Sequence, residues 1–168
     1  MSSGECLIGN RRQYQDVNHN SRDHISIYTL HGEPIFFQHF DGPIYPTLRT
    51  LHKCMSETRR GSAGFLTVRA ADPFVLPVVG IDRGAIRFLL QGAHMMCPGM
   101  TSKGGYLPPA GSGLPAGTPV ALHAEGKEHA VGIGILKLST EEIKRVNKDV
   151  GVETVTYLGD DLWQAQKL

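Results

Sequence analysis

Cysteine is scarce in this chain: three in 168 residues, at Cys6, Cys54 and Cys97. An odd number of widely separated thiols argues against a disulfide framework. It argues equally against a self-contained zinc site, which needs paired Cys or His at short spacing. Charge of one sign is lacking too, since 17 Lys and Arg stand against 16 Asp and Glu, a net +1. Proteins that grip nucleic-acid phosphate unaided carry a basic excess or stripe. Any polynucleotide surface here must therefore be a local patch, or must work with help from a partner. No apolar run approaches the roughly 18 residues a membrane helix needs. The opening "MSSGECLIGNRRQYQDVNHN" has no apolar stretch behind a basic start, so no secretory signal is read there and a cytoplasmic protein without membrane association is expected. Phosphate-cradling, dinucleotide and His-Glu-x-x-His motifs are all missing, and no repeat recurs at 20 to 50 residues. These absences favour a binding module over an enzyme, with no cofactor and no metal.

What is present is a hydrophobic content of 40% with 20 glycines and 10 prolines, enough for a core built from short elements. Residues 1–23 are polar and aperiodic and read as a poorly ordered lead-in. "HISIYTLHGEPIFFQHF" reads as a hairpin around a four-residue connection, His31 to Pro34. Pro46 suits the first turn of a helix whose Leu48, Leu51 and Met55 share a face. Residues 54–72 read as an inserted loop, in which Arg59 and Arg60 count as solvated charges. "PFVLPVV" is a strand or an extended linker, with a boundary near residue 80. "DRGAIRFLLQG" reads as a helix capped by Asp82, with Ile86, Leu89 and Leu90 on one face and Gly92 at its end. "HMMC" is a short extended segment, and Pro98-Gly99 is expected to turn the chain.

Further on, "TPVALHAEGKEHAVGIGILKL" is a second hairpin. Gly132 and Gly134 bare one face of its returning strand, where another backbone can approach. His123 and His129, on its two arms with Glu125 and Glu128 between, read as surface residues and not as a metal site. Ser139 and Glu142 have capping-box spacing for a short helix carrying Ile143 and Val146, which Gly151 is expected to end. "VETVTYL" is the last strand, and the tail is expected to dock through Leu162 and Trp163. Cys97 reads as a packed, reduced thiol. Several short strands with a few short helices describe a small barrel-like β domain.

The run "GIDRGAIRFLLQGAHMMCPGM", with Asp-x-Gly-Ala, then Gly-Ala, then Pro-Gly, resembles the PUA domain, a small RNA-binding pseudobarrel. Two further stretches, "HGEPIFFQHFDGPIYPTLRTLHK" and "AEGKEHAVGIGILKLSTEEIKRVNKDVGVETVTYLGDDLW", closely resemble the malignant T-cell-amplified sequence 1 family. The likeness runs over about 24–53 and 73–163. It implies an α+β protein with a C-terminal PUA pseudobarrel, residues 80–163, and a truncated N-terminal α+β domain, residues 24–79, followed by a tail at 164–168. It further implies a translation factor, not an enzyme. Such a factor pairs with density-regulated protein as a heterodimer and handles tRNA on the small ribosomal subunit in non-standard initiation, reinitiation and recycling. The rival readings are a protein-interaction subunit and a PUA fragment of an RNA-modifying enzyme.

Two departures from the family are evident in the residues. Where the family has further helices before "HISIYTL", this chain has the polar lead-in, and 54–72 is extra. Ser102 precedes Lys103 and not proline, so a proline-directed kinase should ignore it. In PUA domains the Pro-Gly corner borders the RNA-facing groove, which makes Arg83, Arg87, Pro98, Gly99, Lys103 and Lys127 the candidate RNA-binding residues, as positioning contacts to phosphate and not base readers. Lys144, Arg145 and Lys148 are offset by Glu141 and Glu142 and are set aside. Deleting residues 54–72 should leave the C-terminal unit with its cooperative melting transition in calorimetry. Loss of that transition would mean the segment is part of the core.

Overall fold

The computed structural model describes residues 11–14, 25–39, 42–53, 76–109 and 111–165. They form two sheets. The first is antiparallel, in the order β1 (Arg11–Tyr14), β2 (Ile25–Leu30), β3 (Glu33–His39) and β4 (Ile44–Pro46). Strand β1 pairs with β2 from Arg11↔Tyr28 to Tyr14↔Ile25, so this part of the expected lead-in belongs to the sheet. The hairpin β2–β3 is tighter than expected. His31 and Gly32 alone make the turn, both at positive φ (52° and 83°), as a two-residue hairpin of matching twist requires. Glu33 and Pro34 already pair with Leu30 and Thr29, across a register shift of the sort where a strand accommodates proline. Ile27 and Phe37 face each other across the ladder, both buried.

Pro46 ends β4 instead of opening a helix. Helix α1, described over 48–53, is capped by Thr47, whose hydroxyl accepts from Thr50 N and donates to Pro34 O. A hydroxyl at the cap can satisfy an orphan amide where a proline cannot. Leu48 and Leu51 are buried as the periodicity required. They pack on Ala121, Ala130 and Ile133 of the second sheet. Met55 and the 54–72 segment lie outside the described residues.

The second sheet runs β5 (Val78–Ile81), β7 (Pro119–Ala124), β8 (Ala130–Leu136), β9 (Val150–Tyr157), β6 (Met95–Met96). It curls into a half-barrel. The β5–β7 pair is parallel and the others are antiparallel. Strand β5 crosses the boundary expected at 79–80. Its core gathers Val79, Ile81, Leu122, Leu136 and Val152 under the short helices α2 (Ile86–Leu89), α3 (Cys97–Thr101) and α4 (Thr140–Val146).

Several local expectations change. Helix α2 is a single turn behind a turn at 83–85. On its expected face Leu89 is buried but Leu90 is 43% exposed. Gly92, at φ +81°, does release the chain. Pro98 and Gly99 do not reverse it: they lie in the first turn of α3. There the missing proline N–H is one that a helix start leaves unbonded anyway. Cys97 is buried and packed, and burial raises its thiol pKa. The capping box of α4 is complete, with Glu142 N on Ser139 Oγ and Ser139 N on Glu142 Oε2. The helix ends at Asn147, in the left-handed region at φ 46°, and Val146 is exposed. Gly151, expected to end it, sits inside β9.

A third element of the core is the chain's own end. Helix α5 (Asp161–Gln164) docks through Trp163, as expected. Arg49 Nε and Nη2 donate to Trp163 O at 3.1 and 2.6 Å, and the guanidinium lies 4.4 Å from the indole centroid. His52 Nε2 meets Ala130 O at 2.7 Å and its ring stacks on His129 at 4.8 Å. His123 and His129 are half-buried here, not surface residues, because α1 covers them.

The bare face of β8 serves its expected purpose. A Cβ on Gly134 would fall 2.4 Å from Val152 Cγ1 and 2.7 Å from Glu153 O. Gly134→Ala should therefore destabilise the fold by about 1–3 kcal/mol, as overpacking does. Equilibrium urea unfolding reads this directly, and an unchanged midpoint would refute the close approach.

Candidate nucleic-acid interface

Three separate segments meet at one corner of the half-barrel. The first is the turn at 82–85. Asp82 accepts from Ala85 N through Oδ1 and from Ser102 Oγ through Oδ2, both at 2.7 Å. Its own N–H donates to Gly99 O at 2.8 Å. Asp82 thus caps the turn that leads into α2 and ties it to α3 and the loop that follows. The second segment is that loop. Gly104 lies so near Glu125 that an added Cβ would be 2.3 Å from its carboxylate. The third is the tip of the β7–β8 hairpin, where Glu125 N donates to Ile81 O at 2.9 Å. A Cβ on Gly126 would be 3.7 Å from an Arg83 guanidinium nitrogen.

Each segment brings a cation: Arg83, Lys103 and Lys127, all exposed. Arg87 stands one turn along α2, also exposed, its guanidinium 4.6 Å from the Phe88 ring centroid. Among the described residues none of these four is in an ion pair, whereas Lys53 pairs with Glu33 and Lys137 with Glu153. Exposed Glu125 lies among them and lowers the local charge. Gly99 belongs to the corner, since a Cβ there would be 3.2 Å from Ala85 Cβ. Pro98 is exposed beside it. Lys144, set aside from the sequence, is engaged with Pro108 O at 2.6 Å.

Sequence reasoning missed the aromatics. Phe88 is 47% and Tyr106 54% exposed, Phe88 beside Arg87 and Tyr106 a little beyond Lys103 in the chain. Exposed aromatic rings beside Arg give stacking platforms for unpaired bases, each worth ~1–3 kcal/mol. For Phe88 the signal was available: it falls off the Ile86–Leu89 face. Tyr106 is held outward because its backbone exchanges both hydrogen bonds with Gly80, at 2.7 and 3.1 Å. No described helix is long and apolar enough to cross a membrane. Among the described residues no group of three or more His, Cys, Asp or Glu is placed to hold a metal.

The profile of the PUA domain matches residues 77–158, and that of the Pre-PUA-like domain matches residues 5–54. Translation machinery-associated protein 20 of Schizosaccharomyces pombe is 46% identical over 158 residues, covering 94% of this chain and 75% of that protein. Malignant T-cell-amplified sequence 1 of Rattus norvegicus is 45% identical over 141 residues, 84% of this chain and 65% of the relative. The chain belongs to the malignant T-cell-amplified sequence 1 family. It spans 65–66% of the length of the rat and Xenopus laevis members it matches. Among solved structures, a hypothetical protein of Pyrococcus horikoshii superposes with a TM-score of 0.62 at 22% identity, over 88% of this chain and 81% of that one. A PUA-domain protein of Aeropyrum pernix gives 0.60 at 24% identity, over 92% and 81%. These show the fold. For this member of the family, most of the stretch read as a lead-in falls within the Pre-PUA-like match.

Asp82 is the tie that the corner can be tested on. Asp82→Ala removes two hydrogen bonds and should cost about 1–3 kcal/mol. It should also speed amide exchange at Ala85 and in the loop at 102–105. Exchange unchanged in that loop would show that its position does not depend on Asp82.

Proposed function

We propose that this chain is an RNA-binding, translation-associated protein that acts on the small ribosomal subunit. In this reading it handles tRNA in non-standard initiation, reinitiation and recycling, together with density-regulated protein as a heterodimeric partner in the cytoplasm. The observation that carries the reading is the corner itself. Three cations from separate segments, unpaired among the described residues, stand with Arg87 and two exposed aromatics on the PUA unit of a chain from this family.

The division of labour follows from the charge. A corner with four cations and two carboxylates, Asp82 and Glu125, gives weak phosphate binding alone. Tethering to a second binder raises the effective concentration and turns a weak patch into a useful one. Arg83, Arg87, Lys103 and Lys127 position the phosphate backbone, Phe88 and Tyr106 take unpaired bases, and Pro98 and Gly99 fix the corner's shape. The first domain, about 24–79, carries the partner surface, and residues 80–163 carry the RNA surface. No catalytic step is assigned to any residue. A name within the family, translation machinery-associated protein 20, supports the translational setting.

Charge reversal tests this. Arg83→Glu with Arg87→Glu should weaken tRNA or small-subunit binding several-fold and flatten the salt dependence, by a slope of about one for each phosphate no longer neutralised. Filter binding at several salt concentrations measures both. Unchanged affinity and slope would mean that RNA meets another face.

A further inference from the structure

We propose that His52 and His123, packed with His129, make the junction between α1, the β7–β8 hairpin and α5 a proton-sensitive latch, closed while those two imidazoles are neutral and released as pH falls. The inference stands apart from the RNA reading.

The geometry is as follows. His52 donates from Nε2 to Ala130 O at 2.7 Å, which fixes the tautomer and leaves Nδ1 as the place for a second proton. Its ring stacks on His129 at 4.8 Å, interplanar angle 29°, and meets Trp163 edge-on at 5.3 Å. His123 Nε2 and His129 Nδ1 are buried without a hydrogen-bond partner among the described residues. A proton added at His123 Nε2 would be a donor with no acceptor, a costly state in an interior. Arg49, always charged, is already committed to Trp163.

The charges around the cluster point the same way. On α1, Arg49 acts on His52, while Lys53 is paired with Glu33. On the hairpin, His52 and His129 act on His123, and His129 acts on His52. Glu125, Lys127 and Glu128 are exposed in the turn between the two arms. From α5 comes the Trp163 ring. A charged His52 would stand beside the Arg49 guanidinium, a second cation.

Burial lowers the pKa of both His52 and His123 below the ordinary 6.5, with the neighbouring His and Arg charges adding to it; only the Ala130 carbonyl opposes this, for His52. The open form therefore takes protons first. Closure is complete above about pH 6.5 and weakens as pH falls towards the lowered value. Within that window it falls about tenfold per pH unit for each histidine that must stay neutral. Release would free α1 and the first sheet from the PUA unit.

Trp163 is the chain's single tryptophan, so its fluorescence reports the junction alone. In the full chain, acrylamide quenching of Trp163 should be flat above neutrality. It should rise several-fold below about pH 6.5 while far-ultraviolet circular dichroism stays native. The double variant His52→Gln with His123→Gln retains an amide donor for Ala130 O and should abolish the rise. His94→Gln, exposed and bonded to Thr154 N, should leave it in place. Quenching that stays flat to about pH 5 in the unmodified chain overturns the latch, as does a rise that persists in the double variant. Should that variant not fold, imidazole proton resonances of the unmodified chain decide. Midpoints for His52 and His123 below 6.5 that coincide with the fluorescence change support the latch, and midpoints that do not coincide overturn it.

Discussion

The end of strand β5 is the point to which all three cation-bearing segments are fastened. Ile81 O holds the hairpin tip through Glu125 N, Asp82 N holds α3 through Gly99 O, and the Asp82 carboxylate holds Ala85 N and Ser102 Oγ. Just before them on the strand, Gly80 exchanges two hydrogen bonds with Tyr106. The absence of a Cβ makes this possible, since one would lie 2.6 Å from Tyr106 Cβ. A strand end buried on both faces is rigid, so side chains hung from it keep their spacing. For a patch with so few charges, fixed spacing matters more than number.

The second dependency is the junction. Leu48 and Leu51 on α1 pack against Ala121, Ala130 and Ile133, which holds the first sheet to the half-barrel. The polar contacts of Arg49 and His52 then set its angle. Apolar burial supplies most of the attraction and is indifferent to orientation, whereas hydrogen bonds to Trp163 O and Ala130 O are directional. The division explains why His123 and His129 read as surface residues from the sequence. Each looks like a surface residue of a hairpin until α1 covers that hairpin, and no pattern within the hairpin announces the cover.

Much of the fold was legible because it is local. Alternation gave both hairpins, Ser139 and Glu142 gave α4, and the bare Gly132 and Gly134 gave the close β8–β9 approach. The misreadings came where a neighbouring segment overrode a local signal. Pro98-Gly99 spells a turn, yet Met96 on the β9 edge and the Gly99–Ala85 contact place it at a helix start. Gly151 looks like a helix stop, but Asn147 takes that role and Gly151 serves the packing of β9, where a Cβ would meet Met100 Cε at 2.5 Å. Of the corner, the cations were readable through resemblance, while their meeting depends on contacts between segments far apart in the chain. Composition had hidden the patch altogether, because most of the balancing acids lie elsewhere.

The parallel pairing of β5 with β7 has a consequence for how the protein is made. Its crossover contains α2, β6 and α3, and among the described strands β6 pairs with β9, the last of them. Long-range pairings of this kind close late, because the loop entropy is lost before the contacts form. During synthesis the crossover that carries the candidate corner therefore stays unsupported at β6 until β9 has emerged. The nascent chain passes through the tunnel of a machine that is itself largely RNA without yet presenting an assembled surface to grip it.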